Sequence, residues 1–216
     1  MRLAEIWRYP VKSMAGERLD GADLRPDGIE GDRVVQAWDA RGRLVTARNH
    51  PGLLGHRATI GADGGVLVDG LPWTDPEVTR RVEAAAGVGV RLRWFEGAER
   101  FDVLPLLVAT DGALAAFGRD SRRLRPNLVI EGVEGLAERG WEGRAIRVGR
   151  AVVGLADLRG RCVMTTWDPD TQAQDVGVLR DIARRFDGRL CLNAAVLEPA
   201  RIAVGDAVEL LGATGA

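Results

Sequence analysis

From residue 3 to residue 68 the apolar residues come in short runs cut by glycine and aspartate turns, a spacing that suits close-packed strands and leaves no room for long helices. Extended segments are expected over 3–9, 19–24, 34–38, 43–46, 56–60 and 66–68. The turns between them include Asp27-Gly28-Ile29-Glu30-Gly31-Asp32, Asp39-Ala40-Arg41-Gly42 and Ala62-Asp63-Gly64-Gly65. Such a series argues for a small barrel or sandwich, not a Rossmann unit. Helical spacing appears later. Val78, Val82, Ala85 and Ala86 place a helix over 75–86. Thr110 has the character of an N-cap for a helix over 111–117. Leu179, Ile182, Ala183 and Phe186 share one face over 175–186, with Gly188 as the expected C-cap. Further strands are expected over 90–95, 128–130, 145–148, 152–155, 190–197 and 202–210. The fold class is therefore a β-rich α+β arrangement with a few helices.

Charge and cysteine content narrow the function classes. The chain has 216 residues, 30 basic and 31 acidic, for a net charge of −1. That balance gives no electrostatic reason to expect nucleic acid or an anionic membrane as partner. Its two cysteines, Cys162 and Cys191, do not form a disulfide framework. The start lacks a signal-peptide pattern, and no uncharged apolar stretch approaches membrane-spanning length. The expectation is a soluble cytoplasmic protein acting on a small molecule.

The stretch with most chemical content is Gly160-Arg161-Cys162-Val163-Met164-Thr165-Thr166-Trp167-Asp168-Pro169-Asp170-Thr171. Arg161 would favour the thiolate of Cys162 and make it a better nucleophile or soft-metal ligand. Taken alone, the stretch favours a buried core thiol over a ligand, since free cysteine is among the most buried residue types. Cys191 alternates with Leu190 and Leu192, and a core thiol is the expectation there too. Asp168 and Asp170 offer acid or base groups, but a proline-containing turn explains them as well. His50 and His56 have no metal-ligand spacing and read as loop histidines; Arg48 has two readings, a solvated arginine by default or a residue of a loop facing the mouth of a site.

Arg161-Cys162, Thr165-Thr166 and Asp168-Pro169-Asp170-Thr171 together resemble the MOSC domain, named after the C-terminal domain of molybdenum cofactor sulfurases. Three further stretches agree in order: Arg8-Tyr9-Pro10-Val11-Lys12-Ser13, Gly31-Asp32-Arg33 and Arg125-Pro126-Asn127-Leu128-Val129. The first two are similar to the N-terminal β-barrel domain of the amidoxime-reducing MOSC proteins. The resemblance implies an N-terminal MOSC-associated β-barrel domain over 1–90, packed on a MOSC β-barrel domain over 91–216. It implies a molybdenum cofactor, a Mo-pterin dithiolene, with Cys162 as metal ligand and catalytic residue. Lys12 and Ser13 fall on the cofactor-phosphate loop, Arg33 on a second cationic position, and Thr110 on a hydroxyl position before a helix. Arg125 and Asn127 fall on an Arg-Pro-Asn pair, with Asn127 expected at the pterin edge, and Arg161 on the residue beside the ligand. Gly160 stands where amidoxime-reducing relatives have serine.

The implied activity is reduction of N-hydroxylated compounds by oxygen-atom transfer. An iron–sulfur cluster usually needs four cysteines, so electrons would come from a separate reductase or ferredoxin. The alternative is a sulfur-carrier or cofactor-delivery protein, with Cys162 carrying a persulfide or serving as a ligand.

Overall fold

The computed structural model describes residues 1–213. Its largest unit is an eight-stranded sheet. In spatial order the strands are Val208–Ala213, Arg144–Val148, Ala151–Gly160, Arg189–Glu198, Leu106–Thr110, Leu128–Glu131, Arg2–Arg8 and Glu17–Leu19. All neighbours are antiparallel except Leu106–Thr110 and Leu128–Glu131. A parallel pair needs a crossover, and the helix α2 (Asp111–Phe117) lies between those two strands in sequence. Three three-stranded sheets complete the β structure. One joins Arg91–Trp94, Val35–Trp38 and Leu44–Val45; a second joins Ala58–Ile60, Val66–Val68 and Leu71–Pro72. The third pairs Arg201–Ala203 with Gly21–Arg25 and Gly28–Ile29, so an N-terminal segment and a C-terminal one share a sheet.

Three apolar clusters hold these sheets. The largest combines Leu3, Ile6, Leu24 and Ile29 with Val108, Leu128, Ile130, Ile146, Val153 and Leu192. A second is built from residues 11 to 90, including Val11, Met14, Val35, Leu53, Val78 and Val82, with Met164 and Trp167 packed against it. The third buries α2 and α3 (Gly177–Phe186) through Phe117, Val178, Ile182 and Phe186, together with Cys191. The buried members of the second cluster all lie between Val11 and Val90, whereas the largest cluster mixes Leu3 to Ile29 with residues beyond 105. The sheets also join the two halves of the chain, because Arg2–Arg8 pairs with Leu128–Glu131.

The helices follow their local chemistry. Asp75 caps α1 (Pro76–Ala86) by accepting from the N–H of Glu77 at 2.7 Å, and Pro76 fits the first turn. Thr110 caps α2 by accepting from Ala113 N at 3.2 Å. At the end of α3 both Asp187 and Gly188 take left-handed φ, 55° and 72°, with Asp187 the first to leave the helix. An aspartate tolerates that conformation, so the expected glycine cap falls one residue late. The run 202–210 is two strands rather than one, broken by the Gly205 turn. The strand Leu106–Thr110 is absent from the expectations of the sequence. All five of its residues are buried, so it lacks the polar–apolar alternation that marks a half-exposed strand.

Ile6 ties the first strand into the central sheet with no exposed surface. Ile6→Ala should cost about 2–5 kcal/mol of unfolding free energy, measured by denaturant titration, through lost burial and a residual cavity.

Candidate functional site

A cleft of about 380 Å³ is lined by residues from both halves of the chain. Lys12, Ser13, Arg33, Arg125, Asn127, Arg161 and Cys162, which stand far apart in sequence, all line it. Thr110 does not. It is fully buried, its oxygen caps α2, and its hydroxyl donates to Glu138 Oε2 at 3.3 Å. The hydroxyl is spent on the helix and its neighbour, so its place is structural.

Asp32 sits under the cleft with no exposed surface. It accepts from the N–H of Tyr9 at 2.7 Å, from Asn127 Nδ2 at 3.1 Å and from the guanidinium of Arg33. A buried carboxylate is tolerable only with such a set of charged and N–H donors. Asn127 also donates to Trp7 O at 3.2 Å and accepts from Leu107 N at 3.1 Å. Both ends of its amide are therefore engaged within the protein. In the structure Asn127 lines the cleft and these bonds lock its floor.

The Tyr9 ring is a platform for cations. The Arg125 guanidinium lies 4.2 Å from its centroid and that of Arg33 lies 5.1 Å away. The phenol donates to Pro126 O at 3.0 Å. Gly16 permits this placement, because a Cβ there would come 2.2 Å from Arg8 O and 2.5 Å from the Tyr9 ring. Burial raises the pKa of the Tyr9 phenol, which stays neutral.

The loop 119–125 carries four arginines, and their partners tell them apart. Arg119 pairs with Asp175 at 3.2 Å, Arg122 with Asp120 and Asp170 at 2.6 Å each, and Arg123 with Asp168 at 2.8 Å. Arg125 makes no side-chain hydrogen bond or ion pair with any described residue. Burial pulls its pKa down to about 10, and it remains a cation at neutral pH. Arg161 donates to Leu124 O at 2.7 Å, but its Nε is buried without a partner. Arg125 and Arg161 both line the cleft, and an anion placed there would meet their guanidinium groups.

Backbone strain gathers here as well. Ser13, Arg33 and Arg125 have φ of 72°, 56° and 57°, in the left-handed region. Each such residue costs about 1 kcal/mol or more and persists only where its surroundings over-determine it. The Ser13 hydroxyl accepts from Ala47 N at 3.0 Å, which leaves its own hydrogen free to donate.

Asp102 organises the open half of the cleft. Its carboxylate meets Lys12 at 2.9 Å, Arg48 at 2.5 Å and Arg159 at 3.3 Å. Burial would raise its pKa, but these three cations outweigh that and hold it at about 2. Lys12, 7% exposed, also donates to Arg100 O at 2.7 Å, and burial lowers its pKa against the pull of Asp102. For Arg48, burial is outweighed by Asp102 and Cys162, which raise its pKa. Arg48 is thus an exposed loop residue at the mouth of the cleft, on the side of Cys162. Arg159 donates to Asn193 Oδ1 at 3.1 Å, and Asn193 donates to Asp157 Oδ1 at 2.9 Å. Register shifts along Ala151–Gly160, between Leu155 and Gly160, accompany the placement of Asp157 and Arg159 in the cleft. Neither Asp102 nor Asn193 carries a motif that sequence reading could find.

Cys162 is half-buried, two residues after the strand Ala151–Gly160 and at the start of a 3-10 turn, Val163–Thr166. Arg48, Arg159 and Arg161 surround it. Gly160 next to it leaves open space where a Cβ would stand. Cys191 is a core thiol, fully buried, its pKa pushed up to about 11 by burial. Asp168 Oδ1 accepts from Asp170 N at 3.1 Å and from Thr171 N at 3.0 Å, so the turn reading describes it. His56 pairs with Asp69 at 2.8 Å, and neither histidine lines the cleft. Among the described residues no group of three or more His, Cys, Asp or Glu is placed to hold a metal ion. A metal at Cys162 would take its other ligands from a cofactor.

Residues 1–101 match the MOSC N-terminal beta barrel domain and residues 113–209 match the MOSC domain. Mitochondrial amidoxime-reducing component 1 of Homo sapiens is 25% identical over 97% of this chain and 83% of its own length. Mitochondrial amidoxime reducing component 2 of Macaca fascicularis is 23% identical over 88% of this chain and 72% of its own. The crystal structure of the YuaD protein from Bacillus subtilis superposes with a TM-score of 0.55 at 13% identity, covering 99% of this chain and 96% of that one. That likeness is one of fold. No helix among the described residues is long and apolar enough to cross a membrane.

The depressed pKa of Asp102 carries a sign. A carboxylate whose folded pKa is lowered gives stability that is full above its unfolded value, near 4, and is lost as pH falls toward 2. Asp102→Asn should therefore be destabilised at pH 6 by about 0.5–1 kcal/mol and converge on the parent protein near pH 2, in denaturant titrations at a series of pH values.

Proposed function

Because the chain belongs to the MOSC proteins that carry the N-terminal β-barrel domain, we propose that it is a molybdenum-cofactor-dependent oxidoreductase that reduces N-hydroxylated compounds. The observation that carries the reading is the convergence of Lys12, Ser13, Arg33, Arg125 and Arg161 on one cleft with the half-buried thiol of Cys162. That donor set fits a pterin dithiolene with a phosphate tail. Lys12, Ser13 and Arg33 would hold the phosphate through charge-assisted bonds. Arg125 and Arg161 would take the remaining acceptors, while Asn127 and Asp32 keep the floor rigid. Cys162 would be the one protein ligand to molybdenum. When bound, the cofactor would supply two-electron oxygen-atom transfer.

The protein's own share is binding, orientation and field. Asp102 would keep Lys12, Arg48 and Arg159 in place before the ligand arrives, so that less ordering is left to binding. The barrel and MOSC cores would enclose the reacting centre and limit water. The electron donor would be a separate protein, a reductase or ferredoxin, as for a chain with only two cysteines. Gly160 would leave room beside Cys162 and bear on cofactor affinity or substrate preference. The natural site of action proposed is the cytoplasm.

Protein loaded with molybdenum in a cofactor-competent host should reduce benzamidoxime with a chemical electron donor, and Cys162→Ala should abolish that activity. Cys191→Ala should retain it, at a packing cost of about 1–3 kcal/mol. Full activity in Cys162→Ala contradicts the ligand assignment. A sulfur carrier would give the opposite pattern: no reduction, and one persulfide on Cys162 of the metal-free protein after exposure to a cysteine desulfurase.

A further inference from the structure

Behind the cleft lies a second cavity of about 370 Å³. Tyr9, Leu54 and Arg57 line it from the N-terminal core, and Arg125, Met164 and Trp167 from the other half of the chain. Arg123, Arg125 and Met164 line both cavities, so they form the partition between them.

Its walls are mainly rings and apolar side chains. Trp7 stacks on Tyr9, with centroids 6.5 Å apart and planes 15° from parallel. Trp167, Pro169 and Leu54 add flat, apolar surface. Most polar groups at the walls are already engaged. Trp7 Nε1 donates to Glu5 at 2.6 Å and the Tyr9 hydroxyl to Pro126 O. Asp170 receives both arms of Arg122, at 2.8 and 2.6 Å. Arg123 is held by Asp168. Two charged groups remain without a side-chain hydrogen bond or ion pair among the described residues: Arg125 in the partition and the exposed Arg57. The cavity therefore offers free positive charge and no free carboxylate. A cationic ligand would lose solvation and find no counter-ion, whereas an anion would find two forks suited to a carboxylate.

We propose that this rear cavity binds a planar aromatic anion, an aromatic carboxylate being the class its walls fit. The ring lies among Trp7, Tyr9, Met164 and Trp167, and the charge is met by Arg125 and Arg57. The site shares the partition residue Arg125 with the cleft in front, and its binding to the metal-free chain stands whether or not the oxidoreductase reading does.

The test uses the metal-free full chain and 2-naphthoate as probe, with binding followed by titration calorimetry. The acid should bind about tenfold more tightly than the cationic 2-naphthamidine. Arg57→Ala, at an exposed position that should not disturb folding, should weaken 2-naphthoate about fivefold or more. Lys12→Ala, which lines only the front cleft, should leave its affinity within about twofold. Equal binding of acid and amidine overturns the proposal. So does a loss of affinity in Lys12→Ala that Arg57→Ala does not share, because the ligand would then occupy the front cleft.

Discussion

The buried carboxylate of Asp32 is the constraint on which the site depends. It has no exposed surface, so every lone pair it presents must be met from within. Tyr9 N, Asn127 Nδ2 and Arg33 meet it, and two of these belong to the N-terminal part while Asn127 follows the arginine loop of the other. Removing any partner leaves a charge in a desolvated place, which costs far more than an ordinary hydrogen bond. The carboxylate thus fixes the relative position of Tyr9 and Asn127, and Tyr9 in turn carries Arg125 and Arg33 on its ring.

Above that floor the cleft is a balance of excess cations and one organising anion. Asp102 joins Lys12 and Arg48 from the N-terminal part to Arg159 from the central sheet. Their mutual repulsion would otherwise spread them apart. Among the described residues neither Arg125 nor Arg161 has such an ion-pair partner, and Ser13, Arg33 and Arg125 hold left-handed backbone conformations. Stability is given up at these positions, in the manner expected where geometry serves binding rather than folding.

What could be read from sequence follows the range of the forces involved. The helix cap Thr110 is local and was legible. The converging set of Lys12, Ser13, Arg33, Arg125, Arg161 and Cys162 was legible only through family resemblance, since no periodicity relates residues so far apart. Thr110 shows the limit of that route: its cap role is local and visible, whereas a place in the cleft would need a hydroxyl that the helix already uses. Asp102 and Asn193 act through partners 34 to 90 residues away, and nothing in their neighbourhoods marks them. Leu106–Thr110 escaped notice because a strand buried on both faces reads as a plain apolar run.

The central claim is that Cys162 supplies the protein's ligand to a molybdenum centre held by the cations of the cleft. X-ray absorption at the molybdenum edge, on protein prepared in a cofactor-competent host, tests it most directly. The sulfur coordination of the metal should fall by one ligand in Cys162→Ser and stay unchanged in Cys191→Ser. Protein that carries no molybdenum, or an identical sulfur shell in the parent and in Cys162→Ser, would contradict the account.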